Sequence, residues 1–183
     1  MNADFIRQVN PVMRIAIVGP ECTGKTTLSQ QLAEYFKTEW VREYARGYLN
    51  KLAVPYQEND LLMIAQGQMR IEDEFAGSAN QFLFCDTNLV VMKIWSVVKY
   101  KKCHHWIEEE MTRRKYHLHL LTYVDIPWEE DPLREHPHER DMLFKLYEDE
   151  LKRVKVPYAI IKGTPEERLK QAINLVEEVK NKQ

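Results

Sequence analysis

The stretch Met13 to Thr26, MRIAIVGPECTGKT, constrains this chain more than any other. A short apolar run opens directly onto Gly19-Pro20-Glu21-Cys22-Thr23-Gly24-Lys25-Thr26, which satisfies G-x-x-x-x-G-K-[ST] at every fixed position. That spacing suits a phosphate tail. Glycines let the backbone wrap the oxygens, a Lys spreads charge over the β and γ groups, and a hydroxyl serves Mg²⁺. The flanks agree: Ile15 to Val18 reads as a buried strand, and Thr27 to Phe36 carries apolar residues at helical steps. Strand, glycine loop and helix N-terminus in that order make an anion site from backbone N–H groups and the helix dipole. Gly19 to Thr27 is therefore the expected binding segment for a nucleoside triphosphate, with Lys25 and Thr26 as its Lys and hydroxyl.

The 183 residues suit one domain able to bury a sizeable core, and the net charge of −2 gives no basic field for nucleic acid or an acidic membrane. Cys22, Cys85 and Cys103 are odd in number and far apart, which fits a reducing, cytoplasmic setting and no disulfide framework. Nothing reads as a membrane span or a signal peptide. Residues 1–12 are expected to form a leader, and 13–183 a single folded unit.

Along the chain, Glu39-Trp40-Val41 is a second strand and a helix is expected to run on through Leu52, broken by Val54-Pro55. Asp60 to Phe75 steps its apolar residues by three and four and stops near Gly77. Phe82 to Cys85 is an apolar strand ended by Asp86-Thr87-Asn88. Helices are expected over Leu89 to Tyr100 and His105 to Lys115, and a strand over Leu118 to Val124. Residues 126–140 hold three prolines, acids, arginines and two histidines, and read as a mobile loop or short-helix excursion, a candidate lid. Asp141 to Val154 is an amphipathic helix and Tyr158 to Ile161 the last strand. Thr164-Pro165-Glu166-Glu167 combines an N-cap, a first-turn proline and a capping-box Glu before a helix to about Lys180. This alternation predicts an α/β fold with about five parallel strands and helices on both faces, its ligand at the carboxyl ends of the strands.

Asp86, ending an apolar strand, is the expected partner of Mg²⁺ or of an acceptor hydroxyl. The same position also suits a cap for the helix beginning near Asn88. Hydrolytic motor ATPases place a Glu after this Asp, where Thr87 stands, and no D-x-x-G or N-K-x-D guanine signature occurs, so the acceptor reads as a bound small molecule. Arg134 and Arg140 in the polar excursion suit a lid that closes on the phosphates, or a solvated loop of surface ion pairs. His136 and His138 read as surface residues. His117, His119, His104 and His105 read as packing groups rather than ligands. Trp40 to Tyr48, with Glu43, Tyr44 and Arg46, offers groups for ribose hydroxyls, phosphate and a cationic ring, and equally suits the start of an amphipathic helix.

Together these residues resemble the ribosylnicotinamide kinase domain that forms the C-terminal part of bifunctional NAD-biosynthesis regulator proteins. The resemblance runs from Arg14 to about Glu178. It rests on GPECTGKT, on Glu43-Tyr44-x-Arg46, on Cys85-Asp86-Thr87, and on Pro127-Trp128-x-x-Asp131-x-Leu133-Arg134 followed by Arg140. It implies a P-loop kinase fold, ATP with Mg²⁺, and phosphorylation of the 5′-hydroxyl of nicotinamide riboside. Lys25, Asp86, Arg134 and Arg140 would then be catalytic. Glu43, Tyr44, Arg46, Asp86 and Trp128 would bind the nucleoside, and Thr26 and Asp86 would hold the metal. Pro20 and Cys22 depart from the small polar residues usual in that loop. The resemblance does not extend to DNA-binding or adenylyl-transfer portions, so neither NAD synthesis nor repression is expected. Related proteins that bind nucleotides or phosphoinositides leave a non-catalytic switch, or a kinase for another nucleoside or metabolite, as the alternatives.

Overall fold

The computed structural model describes residues 12–182, so the expected leader lies outside the described residues apart from Val12. Five strands, β1 (Met13–Val18), β2 (Glu39–Val41), β3 (Phe82–Asp86), β4 (Leu118–Thr122) and β5 (Tyr158–Ile161), form one sheet in the order β2-β3-β1-β4-β5. All four pairings are parallel, as the alternation of elements predicts. β1 sits between β3 and β4, with Ile17 opposite both Asp86 and Leu120.

Side chains alternate across β1 because successive residues of a strand face opposite ways. Ile15 and Ile17 join Leu28, Leu32 and Ala33 of α1 (Lys25–Phe36) and Ala172 and Val176 of α7 (Pro165–Lys180) on one face. Ala16 and Val18 meet Val90, Val91 and Ile94 of α4 (Leu89–Tyr100) and Leu143, Tyr147 and Leu151 of α6 (Arg140–Arg153) on the other. A third cluster fastens α2 (Tyr44–Leu49), α3 (Glu58–Ala76) and α5 (His105–Arg113) to α4.

Several boundaries differ from the sequence reading. α2 stops at Leu49, three residues short of Leu52. α3 begins at Glu58 because Asp60 accepts the Gln57 N–H at 2.7 Å, which makes Asp60 the third residue of the first turn in a capping box rather than the start. β4 ends at Thr122, whose hydroxyl turns to the carbonyl of Val18 at 3.1 Å. α5 ends at Arg113; Arg114 is already extended and holds Asp73 through two bonds of 2.6 and 2.7 Å.

His119 of β4 belongs to the core. Asn88 caps α4 by accepting the Val90 N–H at 3.0 Å, so its amide nitrogen faces His119 Nε2 at 3.1 Å. His119 Nδ1 lies 3.2 Å from the Pro157 carbonyl and donates to it. Only the neutral ring satisfies both partners. Burial, against the pull of that carbonyl, lowers its pKa to about 4. The folded state thus binds fewer protons than the unfolded one between that value and the ordinary histidine range. Stability should be fully present above pH ~6.5 and fall as pH drops toward 4, by about 3 kcal/mol from this group. Denaturant titrations of His119→Gln across that interval should show the slope reduced by one proton; an unchanged slope would refute the assignment.

Candidate active site

The loop after β1 is built around close backbone contact. Gly19 has φ +140°, and a Cβ there would stand 2.6 Å from Thr122 Oγ1 and 2.8 Å from its carbonyl, so no other residue fits. Thr23 donates to the Pro20 carbonyl at 2.8 Å and meets the Thr122 hydroxyl at 2.7 Å, while Lys25 Nζ donates to the same Pro20 carbonyl at 2.7 Å. α1 starts at Lys25 with Gly24 as N-cap and no side-chain cap, leaving its first-turn N–H groups directed at the loop interior. Arg168, buried in α7, braces the arrangement from behind. It donates to the carbonyls of Thr23, Gly163 and Tyr123 at 2.9 Å each and pairs with Asp125.

Asp86, at the end of β3, accepts the Thr26 hydroxyl through Oδ2 at 2.5 Å. Its other oxygen, Oδ1, is buried with no hydrogen-bond partner. Since Asn88 caps α4, Asp86 is not spent as the cap. Burial raises its pKa against the opposing charge of Lys25 and the Thr26 bond. Glu43, the N-cap position of α2, is also raised by burial, opposed by Lys25 and pushed further by Asp86. The buried Asp86 and the half-buried Glu43 thus share the charge of one ammonium. A hydroxyl and an unpartnered carboxylate oxygen are hard oxygen donors of the kind Mg²⁺ takes, and it ordinarily completes its shell with phosphate and water. Among the described residues no group of three or more His, Cys, Asp or Glu could form a fuller metal cage.

Between β4 and α6 the chain forms no helix or strand, and it lies across the phosphate loop. Arg134 Nη1 donates to Cys22 Sγ at 3.3 Å and to the Glu129 carbonyl. Arg140 Nη1 donates to the Cys22 carbonyl at 3.2 Å and to that of Ile126 at 2.8 Å. Cys22 Sγ also accepts the Glu129 N–H at 3.2 Å and donates to the Pro127 carbonyl at 3.4 Å. Glu21 Oε2 accepts the N–H groups of Glu135 and His136 at 2.9 and 3.1 Å. The segment is bonded to the loop rather than simply solvated. His136 is half-buried and its Nδ1 meets Glu139 at 2.5 Å, while His138 is exposed, as read from the sequence.

One cavity of about 430 Å³ runs from the phosphate loop to α2 and α4; Asp86 and Arg140 are not among its lining residues. Gly19 to Thr27 line one end. Glu43, Arg46, Leu49, Val91, Ile94 and Trp95 line the other, with Leu133 and Arg134 over the top and Tyr147 and Arg168 at the walls. Arg46 also bonds Asp131 at 2.9 Å. Tyr44 and Trp128, expected from the sequence to bind the nucleoside, are not among the residues that line this cavity. The Tyr44 ring packs against Gly67 of α3, where any Cβ would come within 2.2 Å of it, and joins the α2–α3 cluster. Trp128 stands between the two arginines, with each guanidinium carbon 5.7 Å from its ring centroid, and does not line the cavity. The aromatic wall is instead Trp95, which the α4 pattern hides among core positions. Arg168 carries no motif at all; its signal is only a cation just after a capping box.

Residues 14–168 match the family described as the AAA domain. The Trifunctional NAD biosynthesis/regulator protein NadR of Escherichia coli is 30% identical over 129 residues, 67% of this chain and 31% of that protein. The Salmonella typhimurium protein of the same name matches equally, 30% over 129 residues. The chain therefore spans about a third of the length of these relatives, which are described as trifunctional rather than bifunctional. Among solved structures, one of NadR protein in complex with NR superposes with a TM-score of 0.81 at 20% identity, over 92% of this chain and 52% of that one. A deoxyadenosine kinase from M. mycoides gives 0.66 at 14% identity, over 91% of this chain and all of that one. The expected resemblance and the P-loop kinase fold are both met.

Proposed function

From the premise that this chain belongs to the AAA domain family, we propose that it transfers the γ-phosphoryl group of ATP to the 5′-hydroxyl of nicotinamide riboside, giving nicotinamide mononucleotide. The observation that carries the reading is the single cavity in which a phosphate loop meets Glu43, Arg46 and an indole. A kinase needs both substrates in one water-poor space, and this volume falls in the range of small-ligand sites. Similarity to NadR, one structure of which holds NR, supports the choice of acceptor.

In this reading the loop amides and Lys25 hold the β and γ groups, and Arg134 and Arg140 offset charge developing on the transferred phosphoryl. Thr26 and Asp86 would hold Mg²⁺, which would supply positive charge to the phosphate tail. With Asp86 reserved for the metal, Glu43 is the cavity-lining carboxylate assigned to accept the proton of the attacking hydroxyl. Its raised pKa brings it nearer the working range of a general base. The proton leaves the ribose oxygen as that oxygen bonds phosphorus and the bond to the β-phosphate bridge breaks.

A pyridinium ring is cationic, and Trp95 with the carboxylate of Glu43 gives it an aromatic, acidic surround. Cation–π attraction of about 0.5–2 kcal/mol should favour nicotinamide riboside several-fold over a neutral isostere. Initial-rate ADP release with nicotinamide riboside, nicotinic acid riboside, uridine, cytidine and adenosine measures this. Uridine or adenosine winning by an order of magnitude would keep the kinase and discard the nicotinamide acceptor. Tight ATP binding with no nucleoside phosphorylated would favour a nucleotide-dependent switch.

A further inference from the structure

Glu135 lies next to Arg134; its main chain is bonded to the phosphate loop, and its side chain to Tyr56, the hydrogen-bond partner of the cavity-lining Trp95. Its N–H is held by Glu21 of the phosphate loop at 2.9 Å. Its carboxylate accepts Tyr56 Oη through Oε2 and Lys99 Nζ through Oε1, both at 2.8 Å. Tyr56 Oη in turn accepts Trp95 Nε1 at 2.8 Å and Lys99 Nζ at 2.6 Å. A phenol has one proton and two lone pairs, and here all three are used. The Tyr56 and Trp95 rings meet edge to face at 5.2 Å, and Lys99 Nζ sits 3.8 Å from the Tyr56 ring centroid.

We propose that Glu135 is a positioning residue that couples the acceptor end of the cavity, through Tyr56 and Trp95, to the seating of Arg134 on the phosphate loop. The inference rests on the reading that a phosphoryl acceptor occupies the Trp95 end. A ligand against Trp95 favours the arrangement in which its indole N–H meets Tyr56. That arrangement fixes Glu135, and Glu135 is one peptide from the arginine that touches Cys22. Acceptor and nucleotide then each strengthen the other's binding, since coupling between two sites is reciprocal.

The competing account is a surface ion pair. Lys99 and Glu135 are each about one-third exposed, at 33% and 37%, and such pairs contribute little. An ion pair alone, however, would be indifferent to the Tyr56 hydroxyl. Burial pushes that phenol up to about 12, so it stays a donor at any working pH. Burial raises Glu135 too, but the Lys99 and Tyr56 bonds outweigh it and hold the carboxyl below its usual range. Both shifts favour the bonded arrangement with Tyr56 protonated and Glu135 ionised.

The test uses Tyr56→Phe, which keeps the ring, and Glu135→Gln, each checked for an unchanged thermal midpoint. Dissociation constants for adenylyl imidodiphosphate are measured with and without nicotinamide riboside. Wild type should bind the analogue about fivefold or more tightly when the nucleoside is present. Both variants should lose that enhancement, bind the analogue alone within about twofold of wild type, and show no additivity when combined. A wild type without enhancement, or variants that retain it, overturns the proposal. Protease cleavage within 126–140 in the presence of the analogue alone separates this from failure of the acceptor assignment. Tyr56→Phe should be cut several-fold faster whichever nucleoside is the substrate, and equal cutting overturns the latch even if nicotinamide riboside is phosphorylated.

Discussion

Lys25→Ala is expected to lower turnover by about 10³-fold or more while leaving the fold intact. The ammonium reaches the Pro20 carbonyl across the loop and is the leading opposing charge for both Glu43 and Asp86. Its loss removes a positive group from the phosphate cradle and leaves Asp86 and Glu43 without their leading counter-charge. Both would then resist ionisation further, so the remaining activity should also need higher pH. The structural cost is small: one hydrogen bond at a helix start where Ala is well tolerated. The comparison is ADP release with nicotinamide riboside alongside a thermal melt. A folded Lys25→Ala protein with near-normal turnover would remove the basis for the phosphoryl-transfer reading.

Asp86→Asn, which weakens the proposed Mg²⁺ site, should cost about 10²- to 10³-fold in turnover. The amide can still accept the Thr26 hydroxyl, but it places an N–H₂ or a neutral oxygen where Oδ1 now has no partner. If Asp86 serves the metal, raised Mg²⁺ should restore part of the rate, whereas loss of a base would not respond to metal. The pH profile adds a sign. Burial lifts Glu43, and the Asp86 charge lifts it further. Glu43 is active when ionised, so activity falls as pH drops through its pKa. Removing the Asp86 charge lowers that pKa, and the acidic limb of residual kcat/KM should move to lower pH. A limb that moves upward, or a rate unchanged by the substitution, counts against this pairing.

Much of the fold was legible because its signals are local. The Val18–Gly19 junction, the apolar run Phe82 to Cys85 and the Thr164–Pro165–Glu167 cap each carry their meaning within a few residues, and each stands in the structure where the pattern puts it. The cavity's walls were less legible because they depend on distant partners. The Tyr44 ring packs where Gly67, far along the chain, opens a berth for it. Trp95 looks like one more apolar position of α4 until the segment carrying Tyr56 packs on it. Glu21 fits the loop motif as an unspecified residue, yet its partners are two peptide groups of the excursion before α6. No spacing rule links those positions.

The helix that begins at Lys25 has a consequence for the protein as a thermodynamic object. Gly24 supplies no side chain to its first turn, and no acidic residue sits there to balance the dipole. Most helices carry that compensation within their own sequence; here it is delegated to whatever anion occupies the loop. Bound nucleotide is then a part of the native state's own cohesion. At a hundredfold excess over its dissociation constant it adds about 2.7 kcal/mol to unfolding. The melting temperature of such a protein is a property of its buffer as much as of its chain, and phosphate or sulfate in solution would mask part of the difference between free and liganded forms.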